Sequence, residues 1–294
     1  MTSLLMTSAL RVDVGGHPAI DGLSFETTGG WVLVLGASRA LFQAAAGLRP
    51  SARGEVRVEG ALPGDAVADG VCAVAPLDPP LPPRWTVAQY ATWSARLGGN
   101  RSAAARAMAA EALSLLRLEP HARTGLARAP LAVRRAAVVA AAIATGSRTL
   151  LVEDPISGLP DEAARPLARL IVKALGERRA AFFAGRIPLD SPIALAADEA
   201  VVIDGSAVDV QGDPAEIASR ERGFAMQIMG DVHAFVRSVT ERGARLLAPM
   251  DAEASLPAQV TLELGALDTR DVMALALASD AVVLELRPLA RAFA

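Results

Sequence analysis

Gly29-Gly-Trp-Val-Leu-Val-Leu-Gly-Ala-Ser-Arg39 is the stretch on which the reading turns. Trp31 to Leu35 is an uninterrupted apolar run of strand length, which predicts a strand buried on both faces, as in a parallel sheet. A helix is expected to follow from about Arg39 to Leu48. Upstream, Leu10, Val12, Leu23 and Phe25 alternate with polar residues and predict short strands, with turns at Gly15-Gly16 and Gly29-Gly30. Downstream, Glu55-Val-Arg-Val-Glu59 reads as an edge strand. Val71 to Ala75 and Thr149-Leu-Leu-Val152 read as short buried strands. Five prolines make residues 76–83 an extended loop, and residues 86–128 turn helical, with Ala109, Leu113, Leu116 and Leu118 as their stripe. A further helix is expected at about 130–145 and another at 161–178, with strands at 180–184, 200–203 and 207–210. Strands alternating with helices in this way predict an α/β fold with a mainly parallel core.

From Gly223 the order changes to strand (225–229), helix (231–242), strand (245–247), strand (259–264), helix (269–278), strand (281–286). That βαββαβ order predicts a small ferredoxin-like α+β domain over 224–294, after a first domain over 1–220. Asp231 and Thr269 are the expected helix caps, with Asp271 in the second helix's first turn. Its apolar face is expected to comprise Ile228, Val232, Phe235, Val239, Val260, Leu262, Met273 and Leu277.

Composition narrows the function. The 294 residues are 52% hydrophobic and 21% charged, with net charge −3. A core of some size can be buried, and no basic stripe points to nucleic acid. Mean hydropathy of +0.34 reflects alanine-rich helices. The longest apolar run, Ala136 to Ala144, falls far short of the ~20 residues a membrane span needs. No charged-then-apolar leader is expected. The lone cysteine, Cys72, fits a cytosolic protein and a small buried strand residue. Lys173 is the only lysine in the chain.

Several blocks, in order and spacing, resemble the ATP-binding subunits of ABC transporters. Gly29 to Gly36, Ala46-Gly-Leu-Arg-Pro50 and Gly54 to Gly60 look like that family's opening. Gly146 to Leu159 resembles its Walker B region, and Leu195 to Gly205 with Gly212 to Ile217 its closing strands and terminal helix. The resemblance implies a P-loop NTPase-like core with a helical subdomain at about 84–145. The tail, Leu284 to Phe293, resembles the C-terminal extension of ATPases serving ABC-2 type exporters, with Ala290 and Arg291 replacing the usual acidic residues.

Set against the family's chemistry, the chain departs at nearly every position. A P-loop surrounds phosphates with backbone N–H groups and a lysine, while a hydroxyl holds Mg²⁺. Here the loop after Gly36 is about four residues short, the lysine position falls on Ser38 and the hydroxyl position on Arg39. Gly36, Ser38 and Arg39 are thus the relic loop, and its alternative reading is a tight strand-to-helix turn. The adenine-stacking aromatic falls at Val14 and the γ-phosphate-sensing glutamine near Leu77. Ala129-Pro-Leu-Ala-Val133 replaces the signature, Pro160 the D-loop aspartate, and Gly185-Arg-Ile-Pro188 the segment of the switch histidine. His17, His121 and His233 lie elsewhere. Only the Walker B acids persist, in inverted order, as Glu153 and Asp154. A displacement of about 1 Å at such groups can cost on the order of 10²-fold in rate; their alternative role is to end the strand in a turn with Pro155.

With both halves of the family's composite site altered, the resemblance implies a subunit without an ordinary ATP-driven clamp. The expectation is a pseudo-ATPase without a cofactor, peripheral to the cytoplasmic face of the membrane. Its implied partners are an integral membrane transporter subunit and a second ABC ATPase, or itself as a dimer. It is expected neither to bind nucleic acid nor to insert into the membrane. Leu77, Trp85, Tyr90 and Trp93 are the candidate partner-binding residues; the rings could equally form the subdomain's own small core. Two alternatives stay open: an atypical ATPase using Arg39, Glu153 and Asp154, for which ATP and Mg²⁺ would be cofactors, and a non-transport adaptor.

Overall fold

The computed structural model describes residues 2–188, 191–220, 223–247, 257–265 and 267–288. The chain divides into two compact units, Met1–Pro214 and Ala215–Ala294.

The first unit opens with β1 (Leu5–Val14), β2 (His17–Glu26), β3 (Trp31–Gly36), α1 (Ser38–Ala45), β4 (Arg53–Val58), α2 (Pro63–Ala68) and β5 (Cys72–Ala75). The helices α3 (Val87–Leu97), α4 (Ser102–Leu115) and α5 (Leu131–Ala144) follow. The chain then returns through β6 (Thr149–Glu153), α6 (Asp161–Leu175), β7 (Arg179–Ala184), α7 (Pro192–Ala196), β8 (Glu199–Asp204) and β9 (Ala207–Gly212). β1 pairs antiparallel with β2 on one side and β4 on the other. The main sheet has the order β5-β6-β7-β3-β8-β9, parallel except for β9 at its edge.

The apolar run at 31–35 is explained by this order: β3 lies between β7 and β8 and is covered on both faces. Leu10, Val12, Ile20 and Leu23 of the antiparallel sheet share one core with Leu41 and Phe42 of α1 and with Phe183 of β7. The Phe42 and Phe183 rings meet edge to face, 5.4 Å between centroids. The approach to β3 is held by the start of its neighbour β8. Glu199, buried, accepts hydrogen bonds from the N–H groups of Thr28 and Gly29, both 2.7 Å, and Asp198 accepts from those of Gly30 and Trp31.

In the helical subdomain, α3 starts on a capping box in which Thr86 and Gln89 satisfy each other's backbone N–H. Arg135 to Ala144 of α5 are all buried, so this helix is apolar all round because it is covered all round. Among the described residues, no helix is long and apolar enough to cross a membrane. α1 is shorter than the sequence predicts: Gly47, at φ 69°, turns the chain after Ala45 and leaves Leu48 exposed. The short helices α2 and α7, each opened by a proline, were not anticipated from periodicity.

The second unit opens with α8 (Pro214–Arg220) and continues with β10 (Gly223–Gly230), α9 (Val232–Glu241), β11 (Arg245–Leu246), β12 (Ala258–Glu263), α10 (Thr269–Ala278) and β13 (Ala281–Pro288). Its sheet order is β11-β12-β10-β13, antiparallel throughout. Met226, Ile228, Phe235, Val239, Val260 and Leu262 form its core with Val272, Leu275 and Ala276 of α10. Met273 and Leu277 do not belong to it: they are 44% and 83% exposed. The i, i+4 spacing of those two residues fits a helical face, but the face that packs is the one through Val272 and Leu275. The α10 cap is Asp268, in a reciprocal box with Asp271, and Thr269 is the first helical residue. Ala290, Arg291 and Phe293 lie outside the described residues.

Candidate functional site

The strand-to-helix turn after β3 contains a single residue, Ala37, between Gly36 and Ser38. Gly36 adopts φ 88°, and a Cβ there would lie 2.0 Å from the carbonyl oxygen of Ile203. Its N–H donates to the Gly185 carbonyl at 3.2 Å, and the Ala37 N–H donates to the Ile203 carbonyl at 3.4 Å. These two amides, which a phosphate-binding loop would turn toward a ligand, are directed instead at β7's exit and at β8. α1 then begins without a side-chain cap, and Ser38 is buried at the cleft wall.

Arg39, one residue on, is largely exposed and reaches back to β6. Its Nε lies 3.6 Å from Glu153 Oε1. Glu153 is the last residue of β6, and its side chain is 9% exposed. Its other oxygen, Oε2, accepts a 2.9 Å hydrogen bond from the Leu77 N–H, while Oε1 accepts none among the described residues. Leu77, grouped on sequence with the aromatic residues, therefore stands beside Glu153 at this cleft.

Asp154 turns the chain with φ 35°. Ser157 donates its N–H to the Asp154 carbonyl at 3.2 Å, closing the turn that contains Pro155. Burial pushes the Asp154 carboxyl up to about 6, outweighing the hydrogen bond from Ser157 and the nearby positive charge of Arg135, which lower it. Arg135, on α5 and 8% exposed, donates to Asp78 Oδ1 at 2.9 Å and Oδ2 at 3.4 Å. The loop after β5 is thus gripped twice in succession, Leu77 by the core strand β6 and Asp78 by the helical subdomain. Asp78 and Arg135 escaped the sequence reading because they are 57 residues apart; the available signal was a charge at the head of the wholly apolar run 136–144.

Gly36 to Arg39, Leu77, Glu153 and Asp154 border a cleft of about 690 Å³, which extends past Gln43 and Arg49 of the α1 region to Val14. Arg49 is occupied by the Gln43 amide oxygen and the Asp13 carbonyl. Among the described residues, no group of three or more His, Cys, Asp or Glu side chains could hold a metal ion. The three histidines are not at the cleft.

The aromatic residues lie on α3 and its approach. Trp85 and Trp93 meet edge to face at 5.6 Å, and Arg96 stands over Trp93 at 5.8 Å. Trp85 and Tyr90 are half-buried, whereas Trp93 is 44% exposed.

Sheet order, helical subdomain and the placement of the cleft define the fold of an ABC transporter ATP-binding cassette. No family model matches the chain. In sequence it is similar to the methionine import ATP-binding protein MetN of Caulobacter vibrioides, 28% identical over 239 residues, 75% of this chain and 71% of that one. In fold it is similar to CbiO1 from Clostridium perfringens, part of the ABC transporter complex CbiONQ, with TM-score 0.63 and 18% identity over 75% of this chain and 92% of that one. The dimeric cassette MJ0796 matches with TM-score 0.61 and 14% identity over 71% of this chain and 98% of that one.

Proposed function

We propose that the chain is a nucleotide-binding-deficient cassette subunit of an ABC transporter complex, an assembly partner at the cytoplasmic face of the membrane. The observation that carries this reading is the turn at Gly36-Ala37. Its amides bond the Gly185 and Ile203 carbonyls, and the chain's only lysine, Lys173, lies far along the sequence on α6. A magnesium triphosphate fits this site poorly. The buried Glu153 is already bonded to the Leu77 N–H, and the Arg39 guanidinium stands where a metal would have to approach. The Arg39 contact is exposed and stabilises little by itself, but it sets a protein cation against the carboxylate a metal would need. Assembly would then rest on protein contacts, with Trp85, Tyr90 and Trp93 toward a membrane subunit and the second unit toward a cassette partner. The exporter type rests on the sequence of the tail alone, since the curated relative serves methionine import.

The test is a pull-down with full-length tagged protein from its own membranes. Wild type and Glu153→Gln should retain the same integral membrane protein, in equal yield with and without MgATP. Retention that requires MgATP, or that a normally folded Glu153→Gln loses, overturns the proposal.

The atypical-ATPase reading has one observation in its favour. The cleft remains open beside Asp154, whose raised pKa is of the kind found in general bases. Saturable MgATP binding would promote it.

A further inference from the structure

At the opposite end of the main sheet, where β5, β6 and β7 begin, lies a second cleft of about 690 Å³. We propose that it binds a phosphate-bearing ligand, held by Arg148 and Arg178. Nothing in the cassette reading requires this site, and the inference stands apart from it.

The floor of the cleft is built on an ion pair, with only the Arg179 Nε left unbonded among the described residues. Arg179, the first residue of β7, donates to Glu59 Oε2 at 2.6 Å, to the Thr2 carbonyl at 3.1 Å and to the Gly29 carbonyl at 3.3 Å. Glu59 Oε1 accepts from the buried Thr149 hydroxyl at 2.7 Å. Glu59 holds a left-handed backbone, φ 52°, unusual for a residue with a Cβ. A rigid ion pair of this kind neutralises itself and leaves the rim to determine which charge the cleft attracts.

The rim is cationic. Thr149 and Arg179 are register partners on neighbouring parallel strands, so Arg148 and Arg178 enter the sheet side by side, about 5 Å apart at the backbone. Neither forms an ion pair among the described residues, and the only bond of the Arg178 guanidinium is a long one, 3.5 Å, to the Ala174 carbonyl. Glu177 shares the rim without pairing with either. Two positive side chains rooted on neighbouring strand positions repel, and an anion bound between them relieves that repulsion. Guanidinium forks match phosphate oxygens in pairs, which favours a phosphate group over a halide or a lone carboxylate. The volume exceeds that of bare phosphate and suits a phosphate ester or diphosphate.

Pyrophosphate is the probe, titrated into full-length protein by calorimetry at low salt. Saturable binding is expected, with a dissociation constant below about 1 mM. Arg148→Gln and Arg178→Gln should each weaken it about tenfold, the loss of one charge-assisted contact. Arg39→Gln, at the other cleft, should leave it unchanged, so failure here and failure of the cassette reading are separable. A second arm asks whether the phosphate is a lipid headgroup. Flotation with phosphatidylglycerol vesicles, but not phosphatidylcholine vesicles, that is lost in Arg148→Gln and competed by pyrophosphate would place it on a membrane. Binding of neither probe, or pyrophosphate binding that survives both arginine substitutions, overturns the proposal.

Discussion

Asp154→Asn is the substitution whose outcome the geometry determines most sharply. Burial disfavours the charged form and pushes the carboxyl up to about 6 in the folded protein, from the 3.8 of a free aspartate. Between those two values the folded state holds a proton that the unfolded state has released. Stability from this group therefore falls as pH rises through about 4 to 6 and stays low above that window. Two pKa units correspond to about 3 kcal/mol at full value. The side chain is only part-buried, so solvent screening reduces this to on the order of 1 kcal/mol. Asparagine keeps the acceptor for Ser157 and is among the residues that tolerate the positive φ at this position. The variant should thus be more stable than wild type by about 1 kcal/mol at pH 7.5 and equal to it near pH 4, with a flatter profile between. Urea unfolding at four or five pH values measures this. An Asn variant less stable than wild type at pH 7.5, or one with an unchanged pH profile, would refute the burial argument.

Other consequences follow from the same contacts. Gly36→Ala should cost at least about 3 kcal/mol or abolish folding, because its Cβ would meet the Ile203 carbonyl at 2.0 Å; a variant with unchanged melting temperature would show that the turn relaxes. Arg135→Met removes a buried charge with an unbonded Nε and returns an exposed Asp78 to water, so it should cost less than about 1 kcal/mol. Asp78→Ala instead strands that charge and should cost more, about 1 to 2 kcal/mol; the reverse order of denaturation midpoints would contradict the assignment. In α10, Leu275→Ala should lose about 2 to 3 kcal/mol while Leu277→Ala changes stability by less than about 0.5, and equal losses would put both on the core face.

The elements legible in the sequence are those whose side chains carry the signal. The run 31–35 reads as a doubly buried strand because β3 is sandwiched between β7 and β8, and the alternation in 10–25 reads as a hairpin with one covered face. Periodicity failed where two faces of one helix were both apolar: Met273 and Leu277 form as good a stripe as Val272 and Leu275, and only packing decides between them. The altered positions of the cleft could be read individually, since each is a residue type. Their new partners could not. The bonds from Gly36, Ala37 and Leu77 use backbone amides, which look the same at every residue. The pairs Arg135–Asp78 and Arg179–Glu59 join segments 57 and 120 residues apart.

On the proposed reading, the turn at Gly36-Ala37 and the Arg39–Glu153 contact leave no place for a magnesium nucleotide. Calorimetric titration of the full-length protein with ATP and Mg²⁺ tests it directly, with Arg148→Gln and Arg178→Gln combined in the background to suppress binding at the second cleft. No saturable heat is expected up to about 1 mM, equivalent to roughly −4 kcal/mol at that limit. A micromolar dissociation constant that Arg39→Ala or Glu153→Gln alters would contradict the account and make the cleft a working nucleotide site.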